Sequence, residues 1–314
     1  MSLSKKSRIY IAGHKGMVGS ACWRELESKG YNNLIGYNSS EVDLRNYKEV
    51  FDLISRERPK VIIDAAARVG GIMANSSYPY KFLMDNLLIQ NNLIKSAHEL
   101  NVPKFIFLGS SCIYPKLASQ PLKEQYLLTD SLEPTNQWYA LAKITGVKLI
   151  EALRTQYNRD YVSLMPTNLY GPGDNYDLKT SHVLPALIRK FHEANMNNQK
   201  KIVLWGSGKP LREFLHVDDL AKAVLFSLEN NLDEAFYNIG SAIEISIKEL
   251  AHLVQDIVGY KGLINWDESK PDGTPRKLLD STKMKNFGWS HEINLRDGIA
   301  KTYINFKNEF IVPG

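Results

Sequence analysis

The chain has 314 residues, 44% of them hydrophobic, which is enough to bury one large core or two smaller ones. Its net charge of +5 comes from lysines and arginines that are scattered among acids. That distribution lacks the basic blocks of a nucleic-acid-binding protein and better suits an anionic small molecule. The apolar runs are too short for a signal peptide or a membrane span, so we expect a cytoplasmic protein without membrane contact.

Strand-like and helix-like patterns alternate along the chain. Short apolar runs predict strands at 8–12, 33–37, 61–66, 104–109 and 161–166. Apolar residues at helical spacing predict helices near 18–28, 46–57, 80–100, 139–156, 183–194, 217–228 and 246–258. The alternation indicates βαβ units, and the first, third and fourth runs are apolar enough to be covered on both faces. The sequence therefore predicts an α/β fold: a Rossmann-type doubly wound parallel sheet with a smaller, discontinuous C-terminal substrate-binding lobe.

The pattern loosens after about Asn168 into the turn-rich stretches GPGDNYD, WGSGKP and SKPDGTP. Such loops suit a smaller lobe, interrupted where the chain returns to the sheet near FLHVDD at 214–219. We therefore expect a nucleotide-binding Rossmann domain at 1–169 and about 213–240. The substrate lobe is expected at about 170–212 and 241–314.

A glycine-rich loop, AGHKGMVG at 12–19, follows the first strand and opens a helix. Gly13, Gly16 and Gly19 there permit a tight turn and the close approach of a pyrophosphate to the helix N-terminus. The spacing is GxxGxxG, not GxGxxG, and the alternative is a plain strand-to-helix turn. The position after the first strand favours dinucleotide binding.

The loop after the second strand bears on the choice of dinucleotide. No carboxylate stands at positions 37–40, where NAD enzymes place an acid for the ribose 2′-hydroxyl. Lys15 could instead face a 2′-phosphate, a combination that favours NADP, although Lys15 taken alone is nearly as well explained as a surface lysine. Asp43 could contact the adenine or cap the next helix.

A YxxxK motif places Tyr139 and Lys143 on one helix face. A neighbouring cation favours the phenolate, so the sequence predicts a lowered pKa for Tyr139 and a proton donor to a carbonyl oxygen. By itself the motif is common and usually marks a surface helix. Here it follows a glycine loop and a strand that ends at Ser110 and Ser111, whose hydroxyls can bond the same carbonyl.

Taken together, the motifs resemble the extended short-chain dehydrogenase/reductase family, which modifies nucleotide-activated sugars. The similarity extends in order over almost the whole chain: AGHKGMVGSA, AAARVGGIMAN, LGSSCIYPK, EPTNQWYALAK, MPTNLYGPGDN, SHVLPALIRKFHEA, WGSGKPLREFLHVDD and SKPDGTPRKLLD. The most similar branch consists of homodimers that take GDP-4-keto-6-deoxy-D-mannose, epimerise it at two ring carbons and reduce the ketone with NADPH. The resemblance implies that activity, that cofactor and that assembly here.

The resemblance also implies catalytic roles. Cys112 matches the family's base and His182 its acid, while Ser110 holds the ketone and Tyr139 and Lys143 serve the reduction. A C-4 ketone acidifies carbons 3 and 5, and inverting either needs a base on one face of the ring and an acid on the other. Thiol and imidazole have reference pKa values of about 8.5 and 6.5, which suit that exchange.

Each of these residues also has an ordinary structural explanation. Cys112 alone is well explained as a small buried hydrophobe, and His182 as a helix-start residue with Ser181 as N-cap. Cys22, on the first helix, is expected to be core filler. The two cysteines lie far apart and have neither disulfide nor metal-ligand spacing, so we expect free thiols and no metal.

The resemblance implies two further sets of contacts. The substrate contacts are Asn168, Lys190, Trp205, Arg212 and Asp272, with Arg189 as a rival to Lys190. The bulky Trp138 beside the tyrosine bears on the pocket's shape. The cofactor contacts are Gly13, His14, Lys15, Gly16, Met17, Val18, Gly19, Ser39, Asp43, Leu44, Leu108, Gly109, Ser110, Ser111, Lys143, Pro166, Thr167, Asn168, Leu169 and His182.

Three rival functions stay open. The nearest is an epimerase/reductase or plain reductase acting on another GDP-4-keto sugar such as a heptose. The second is an NAD-dependent 4-epimerase or 4,6-dehydratase, although Ser111 and Cys112 occupy the place of a dehydratase's acid–base pair. The third, a non-catalytic NADP sensor, should have lost Tyr139 or Lys143, and both are present.

Overall fold

Six parallel strands form the central sheet of the protein, in the order β2-β1-β3-β4-β5-β9. The structure, a computed structural model, describes residues 3–270 and 272–310. The strands of this sheet are β1 (Ile9–Ala12), β2 (Leu34–Ile35), β3 (Val61–Asp64), β4 (Lys104–Leu108), β5 (Asp160–Pro166) and β9 (Phe236–Ile239). The strand order reverses beside β1, which opens a crevice at the carboxyl ends of the strands, the usual ligand site of such sheets.

Helices cover both faces of this sheet, and every residue of β1, β3 and β4 is therefore buried. One layer contains α1 (Met17–Ser28) and α7 (Val217–Glu229), which pack on each other. The other contains α2 (Tyr47–Glu57), α4 (Pro79–Glu99) and α5 (Gln137–Tyr157). The short α3 (Ile72–Ser77), which the sequence patterns did not predict, precedes α4. The predicted doubly wound sheet is confirmed.

A second layered region follows the main sheet along the chain. Its strands are β6 (Asn168–Tyr170), β7 (Lys201–Trp205), β8 (Leu211–His216), β10 (Glu244–Ser246), β11 (Leu263–Asp267) and β12 (Arg276–Lys277). Its helices are α6 (Val183–Met196), α8 (Ile247–Val258), α9 (Thr282–Phe287) and α10 (Leu295–Phe310). Strand β8 pairs with β6, β10 and β12, while β11 pairs with β7.

One strand lies elsewhere than the sequence predicted. The FLH segment belongs to β8 and joins the second sheet, and the chain returns to the central sheet only at β9. The reason is that β8 pairs with the residues just beyond β5, so the central sheet's edge is left for β9. We propose the domain division given above, supported by the packing of α7 on α1 and the place of β9 in the central sheet.

The predicted helices agree with the observed ones to within two residues at each end. The observed second strand, Leu34–Ile35, is shorter than the predicted one. Cys22 is fully buried in the core under α1, as expected. Both thiols are free. Within residues 3–270 and 272–310, every helix falls short of the length and apolar character needed to cross a membrane.

Candidate active site

The glycine loop forms a tight backbone crossing between β1 and α1. Gly13 has a φ of +75°, and a Cβ there would lie 2.8 Å from the Ala65 carbonyl oxygen at the end of β3. A Cβ on Gly19 would lie 2.1 Å from the Gly13 oxygen, so neither position accepts a side chain. Gly16 is the N-cap of α1, where no described side chain caps the helix, and a Cβ there would lie 3.4 Å from the Gly13 oxygen. The first amides of α1 are therefore available to an anion.

The residues around this loop support its shape or face solvent. Met17 and Val18 pack partly on the core, while Lys15 is exposed. The His14 ring lies 5.9 Å from the Trp23 ring and covers Gly36 after β2. The loop therefore exposes Lys15 beside the crevice.

The loop after β2 contains Ser39, which is exposed, and leads to Asp43 and Leu44. Arg45 donates from Nε to an Asp43 carboxylate oxygen at 2.9 Å, which holds the pKa of that carboxyl below its usual range. The N-cap of α2 is Asn46, whose side chain accepts from the Lys48 amide. The expectation that Asp43 might cap this helix is therefore wrong. Leu44 packs partly on the second core layer.

Strand β4 delivers Leu108 and Gly109 to the crevice and ends in a 3₁₀ turn at Ser111–Ile113. A Cβ on Gly109 would lie 2.2 Å from the Met165 methyl, so glycine is required for close packing on β5. Ser110 caps the turn by accepting from the Cys112 amide at 3.4 Å. Its hydroxyl can also donate, and the neighbouring Cys112 sulfur is one acceptor for it. Ser111 and Cys112 are both buried.

Tyr139 and Lys143 enter the crevice from α5. The Lys143 ammonium donates to the Leu108 carbonyl at 2.8 Å and lies 4.6 Å from the centre of the Phe107 ring. It is 5.8 Å from the centre of the Tyr139 ring. The motif therefore places both side chains against the end of β4.

The expected lowering of the Tyr139 pKa is wrong. Burial raises the pKa of this phenol well above its ordinary value, and the negative charges of Cys112 and Asp64 raise it further. Burial also lowers the pKa of Lys143, opposed by Asp64 and Cys112. The cost of placing a phenolate away from water exceeds what the single nearby cation returns. Tyr139 consequently keeps its proton at neutral pH.

Two cations act on the Cys112 thiol. Burial raises the pKa of its thiol, and the charge of Lys277, the Ser110 hydroxyl and the charge of Lys143 oppose that rise. The thiol lines a recess together with Asn136 and Lys277. Its proton is held more tightly than the reference thiol value suggested, and nearby positive charge partly compensates.

His182 stands at the start of α6. It is itself the N-cap residue, so the expectation that Ser181 caps this helix is wrong. The Ser181 carbonyl instead lies close to Gly71, where a Cβ would be 2.8 Å from its oxygen. The imidazole is open to the cleft, and the protein around it, followed by the charge of Lys277, lowers its pKa.

The segment after β5 links the two sheets. Pro166 ends β5, and Thr167 and Asn168 both donate to the Glu213 carbonyl of β8, at 3.3 and 2.7 Å. Leu169 packs partly on the first core layer. The Asn168 amide nitrogen is thus already bonded, which leaves its carbonyl oxygen for a ligand.

The expected substrate contacts surround β7 and β8. Trp205 is 56% exposed, and the ammonium groups of Lys190 and Lys270 lie 5.5 and 5.8 Å from the centre of its ring. Arg189 is engaged elsewhere, since it donates to Glu193 at 2.6 Å and to the Tyr176 carbonyl at 3.1 Å. Between the two rivals, Lys190 is therefore the one that faces Trp205.

Arg212 and Asp272 complete this set. Burial lowers the pKa of Arg212, opposed by the charge of Asp272. The Asp272 carboxylate accepts from the Ser207 amide and hydroxyl, both at 2.7 Å, and these bonds lower its pKa. In this structure Asp272 holds the loop around Gly206 in place beside Trp205.

Sequence reasoning missed three charged residues at the site. Lys277 faces Cys112 and His182, Lys270 faces Trp205, and Asp64 is fully buried at the end of β3. Lys270 and Lys277 both lie within SKPDGTPRKLLD, a motif in which Asp272 alone was predicted to be a site residue. Asp64 ends an otherwise apolar strand, and that charged residue in VIID was the available signal.

A doubly wound sheet with a glycine loop and a serine–tyrosine–lysine set at its carboxyl edge defines a nucleotide-dependent oxidoreductase-type enzyme. The chain belongs to the NAD dependent epimerase/dehydratase family, whose profile matches residues 9–240. GDP-L-fucose synthase 1 of Arabidopsis thaliana is 54% identical over 303 residues, which cover 96% of this chain and 94% of that protein.

Two solved structures are similar over nearly the full length. A GDP-6-OMe-4-keto-L-xylo-heptose reductase from C. jejuni has a TM-score of 0.94 at 35% identity, covering 98% of this chain and 100% of that chain. A GDP-L-fucose synthetase from Naegleria fowleri bound to NADP has a TM-score of 0.91 at 27% identity, covering 99% and 96%. Both lobes of the fold are therefore shared with these enzymes.

Proposed function

We propose that this chain converts GDP-4-keto-6-deoxy-D-mannose to GDP-L-fucose by 3,5-epimerisation and NADPH-dependent reduction at carbon 4. The observation that carries the proposal is the joint placement of Cys112 and His182 about the charge of Lys277, in the site that also holds Tyr139 and Lys143. A plain reductase needs no such acid–base pair. The 54% identity to a named GDP-L-fucose synthase supports the same reaction.

The crevice fits NADPH. A Cβ at Gly13 or Gly19 would meet backbone, and the open N-cap at Gly16 leaves the first α1 amides for a pyrophosphate. The exposed Lys15 and the lack of a carboxylate at 37–40 suit a 2′-phosphate. Ser39, Leu44, Leu108, Gly109, Pro166, Thr167 and Leu169 are proposed to line the remainder of this site. NADPH bound there would supply the hydride for carbon 4.

Epimerisation uses the two sides of the cleft. The Cys112 thiolate takes a proton from carbon 3 or carbon 5, and the electron pair moves to the ketone oxygen as an enolate. The Ser110 hydroxyl donates to that oxygen and stabilises it. The protonated His182 returns a proton to the opposite face of the same carbon, so the configuration inverts.

Reduction uses the phenol of Tyr139. Because burial keeps its proton in place, Tyr139 donates to the carbonyl oxygen only as negative charge develops there. Lys143, anchored on the Leu108 carbonyl, places a positive charge beside the tyrosine and stabilises the phenolate that remains. This is general acid catalysis by an enclosed donor.

The nucleotide diphosphate is proposed to lie along β7 and β8. Arg212 is suited to a bidentate bond with phosphate oxygens, and Trp205 offers an exposed ring to the base. Lys190 adds a charge at that ring, and Asn168 offers a carbonyl oxygen to sugar hydroxyls.

The deciding experiment is incubation of the protein with NADPH and GDP-4-keto-6-deoxy-D-mannose, followed by mass spectrometry and NMR of the product. GDP-L-fucose is expected. A product with unchanged configuration at carbons 3 and 5 would reduce the proposal to a plain 4-reductase, and a product formed without consumption of NADPH would refute the reductase role.

The second candidate is reduction of a GDP-4-keto-heptose. The TM-score of 0.94 to the C. jejuni heptose reductase favours it, and one extra carbinol group would disturb few of the motifs. Measuring kcat/KM for the heptose and the 6-deoxymannose substrates separates the two. We expect the 6-deoxymannose value to be at least about tenfold higher, since one well-placed group changes discrimination by that order.

We further propose a cytoplasmic homodimer. The outer faces of α4 and α5 expose Tyr80, Met84, Leu88, Trp138 and Leu141, a row of large apolar side chains on two adjacent helices. Such a patch is typical of an interface that repeats on a symmetry mate. The two unpaired thiols suit a reducing compartment.

A further inference from the structure

Lys277 occupies an unusual place at the edge of the cleft. It lies on β12, in register with Arg212 of β8, and β12 runs parallel to β8. Its side chain is partly buried and lines the recess that also contains Cys112 and Asn136. A residue far along the chain thus brings a cation to the candidate base.

The positive charge of Lys277 is not neutralised by the described part of the protein. Its ammonium forms no hydrogen bond or ion pair with any residue in 3–270 or 272–310. Two acids, Glu133 and Glu213, act on Lys277 through their charge. Both already bind other groups. Lys116 lies 3.0 Å from Glu133, and the amides of Ala242 and Leu279 donate to Glu213 at 2.6 and 2.9 Å.

The groups that act on Cys112 come from three elements: Ser110 on its own turn, Tyr139 and Lys143 on α5, and Lys277 on β12. Lys143 is committed to the Leu108 carbonyl and the Phe107 ring. Lys277 is free, and among the influences that favour the thiolate its charge is the largest. The charge of Lys277 also acts on His182, whose pKa it lowers.

We propose that Lys277 is a positioning residue that supplies the counter-charge of the Cys112 thiolate during proton abstraction. Its use in epimerisation rests on the function proposed above, whereas the effect of its charge on the thiol is a property of the free protein. The Cys112 sulfur takes the substrate proton and becomes a thiol, while the negative charge passes to the ketone oxygen. The resting state returns when the thiol proton moves through solvent to the neutral His182.

The test compares the thiol in wild type and four variants. Lys277→Met removes the charge at similar length, Lys277→Gln is a second neutral variant in case the first fails to fold, and Lys277→Arg keeps the charge. Lys116→Met is the matched control, since it removes a cation that lines the same recess but is paired with Glu133. Thiolate absorbance near 240 nm is followed against pH without substrate, with each Cys112→Ser counterpart subtracted.

We expect the Cys112 pKa to rise by about one pH unit in Lys277→Met and Lys277→Gln, about tenfold less thiolate at a given pH below it. Lys277→Arg should stay close to wild type, and Lys116→Met should move less than the neutral Lys277 variants. Cys22 is fully buried and burial raises its pKa to about 12, so it contributes little below pH 10.

An unchanged Cys112 pKa in both neutral Lys277 variants overturns the proposal. If the KM for the GDP-sugar rises in those same variants, Lys277 is instead a diphosphate contact. The thiol pKa could shift in the Lys277 variants as expected while the wild-type protein incorporates no solvent deuterium into the substrate. That result would refute the proposed epimerase function but not the effect of Lys277 on the thiol.

Discussion

At the scale of single residues, the site separates two kinds of chemistry. In the mechanism proposed here, Cys112 and His182 serve proton exchange at carbons 3 and 5, while Tyr139 and Lys143 serve the carbonyl. Cys112→Ser removes the base, because an alcohol does not ionise near neutral pH, and leaves the reductive residues in place. This variant should still reduce the unepimerised ketone slowly, while Tyr139→Phe should lose reduction by at least about a hundredfold.

The measurement is NMR of products formed in heavy water. Tyr139→Phe should still incorporate deuterium at carbons 3 and 5, and Cys112→Ser and His182→Gln should incorporate much less. Deuterium incorporation at the wild-type rate in Cys112→Ser would show that another base acts and that the cysteine only fills space.

The raised pKa of Asp64 predicts that the free energy of unfolding depends on pH. It is fully buried, its Oδ2 has no hydrogen-bond partner among the described residues, and burial raises its pKa to about 6, opposed by Lys143. Its pKa is about 3.9 when unfolded, so folding stability falls as the pH rises from about 4 to about 6. Asp64→Asn lacks this titration.

The stability of Asp64→Asn relative to wild type should therefore increase by about 2–3 kcal/mol between pH 4 and pH 7. Urea unfolding at the two pH values measures the difference. A constant difference between the proteins at both values would mean that Asp64 is not held protonated by its surroundings.

Replacing Lys15 tests whether the protein prefers NADPH to NADH. It is exposed beside the glycine loop, and positions 37–40 carry no acid to repel a phosphate. Lys15→Ala should raise the KM for NADPH by about tenfold and leave the KM for NADH almost unchanged. Steady-state kinetics with both cofactors decide this, and equal effects on the two would count against a 2′-phosphate contact.

At the scale of elements, the contact between α5 and β4 fixes the reductive site. A Cβ on Gly146 of α5 would lie 2.4 Å from the ring of Phe107, and the Lys143 ammonium rests on that same ring. The glycine therefore lets the helix approach closely enough for Lys143 to reach the Leu108 carbonyl.

Gly146→Ala should move the helix and lower kcat by about tenfold or more, since small displacements of catalytic groups are costly. Overpacking of about 1–3 kcal/mol should outweigh the gain of about 1 kcal/mol in helix propensity. Lys148→Ala, on the exposed side of the same helix, is the control and should change both quantities little. A more stable, fully active Gly146→Ala would show that the Phe107 ring yields instead.

At the scale of the whole molecule, the exposed faces of α4 and α5 predict the oligomeric state. Leu88 and Leu141 are 37% and 38% exposed on adjacent helices. Replacing both with lysine should convert a dimer to a monomer, because two charges per subunit would be buried in the interface. Met196→Lys changes a 64% exposed apolar residue on α6 and should leave the dimer intact. Light scattering at micromolar concentration is the measurement, and a monomeric wild type would refute the prediction.

The sequence by itself determined the features of this protein that depend on residues close together in the chain. Period and apolar runs specified the parallel strands and their helices, because a strand buried on both faces needs an unbroken apolar stretch. Glycine spacing located the turn between β1 and α1, and YxxxK placed two side chains on one helix face, since both depend only on near neighbours. The long ordered motifs supplied the expectation for Cys112 and His182.

Only the tertiary structure decided what depends on distant segments. It placed β8 in the second sheet, brought Lys277 to Cys112, left Lys190 rather than Arg189 facing Trp205, and buried Asp64 beneath the site. It also reversed the expected direction of the Tyr139 pKa. The physical reason is that the free energy of ionisation depends on burial and on every nearby charge. The fold, not the local sequence, sets both.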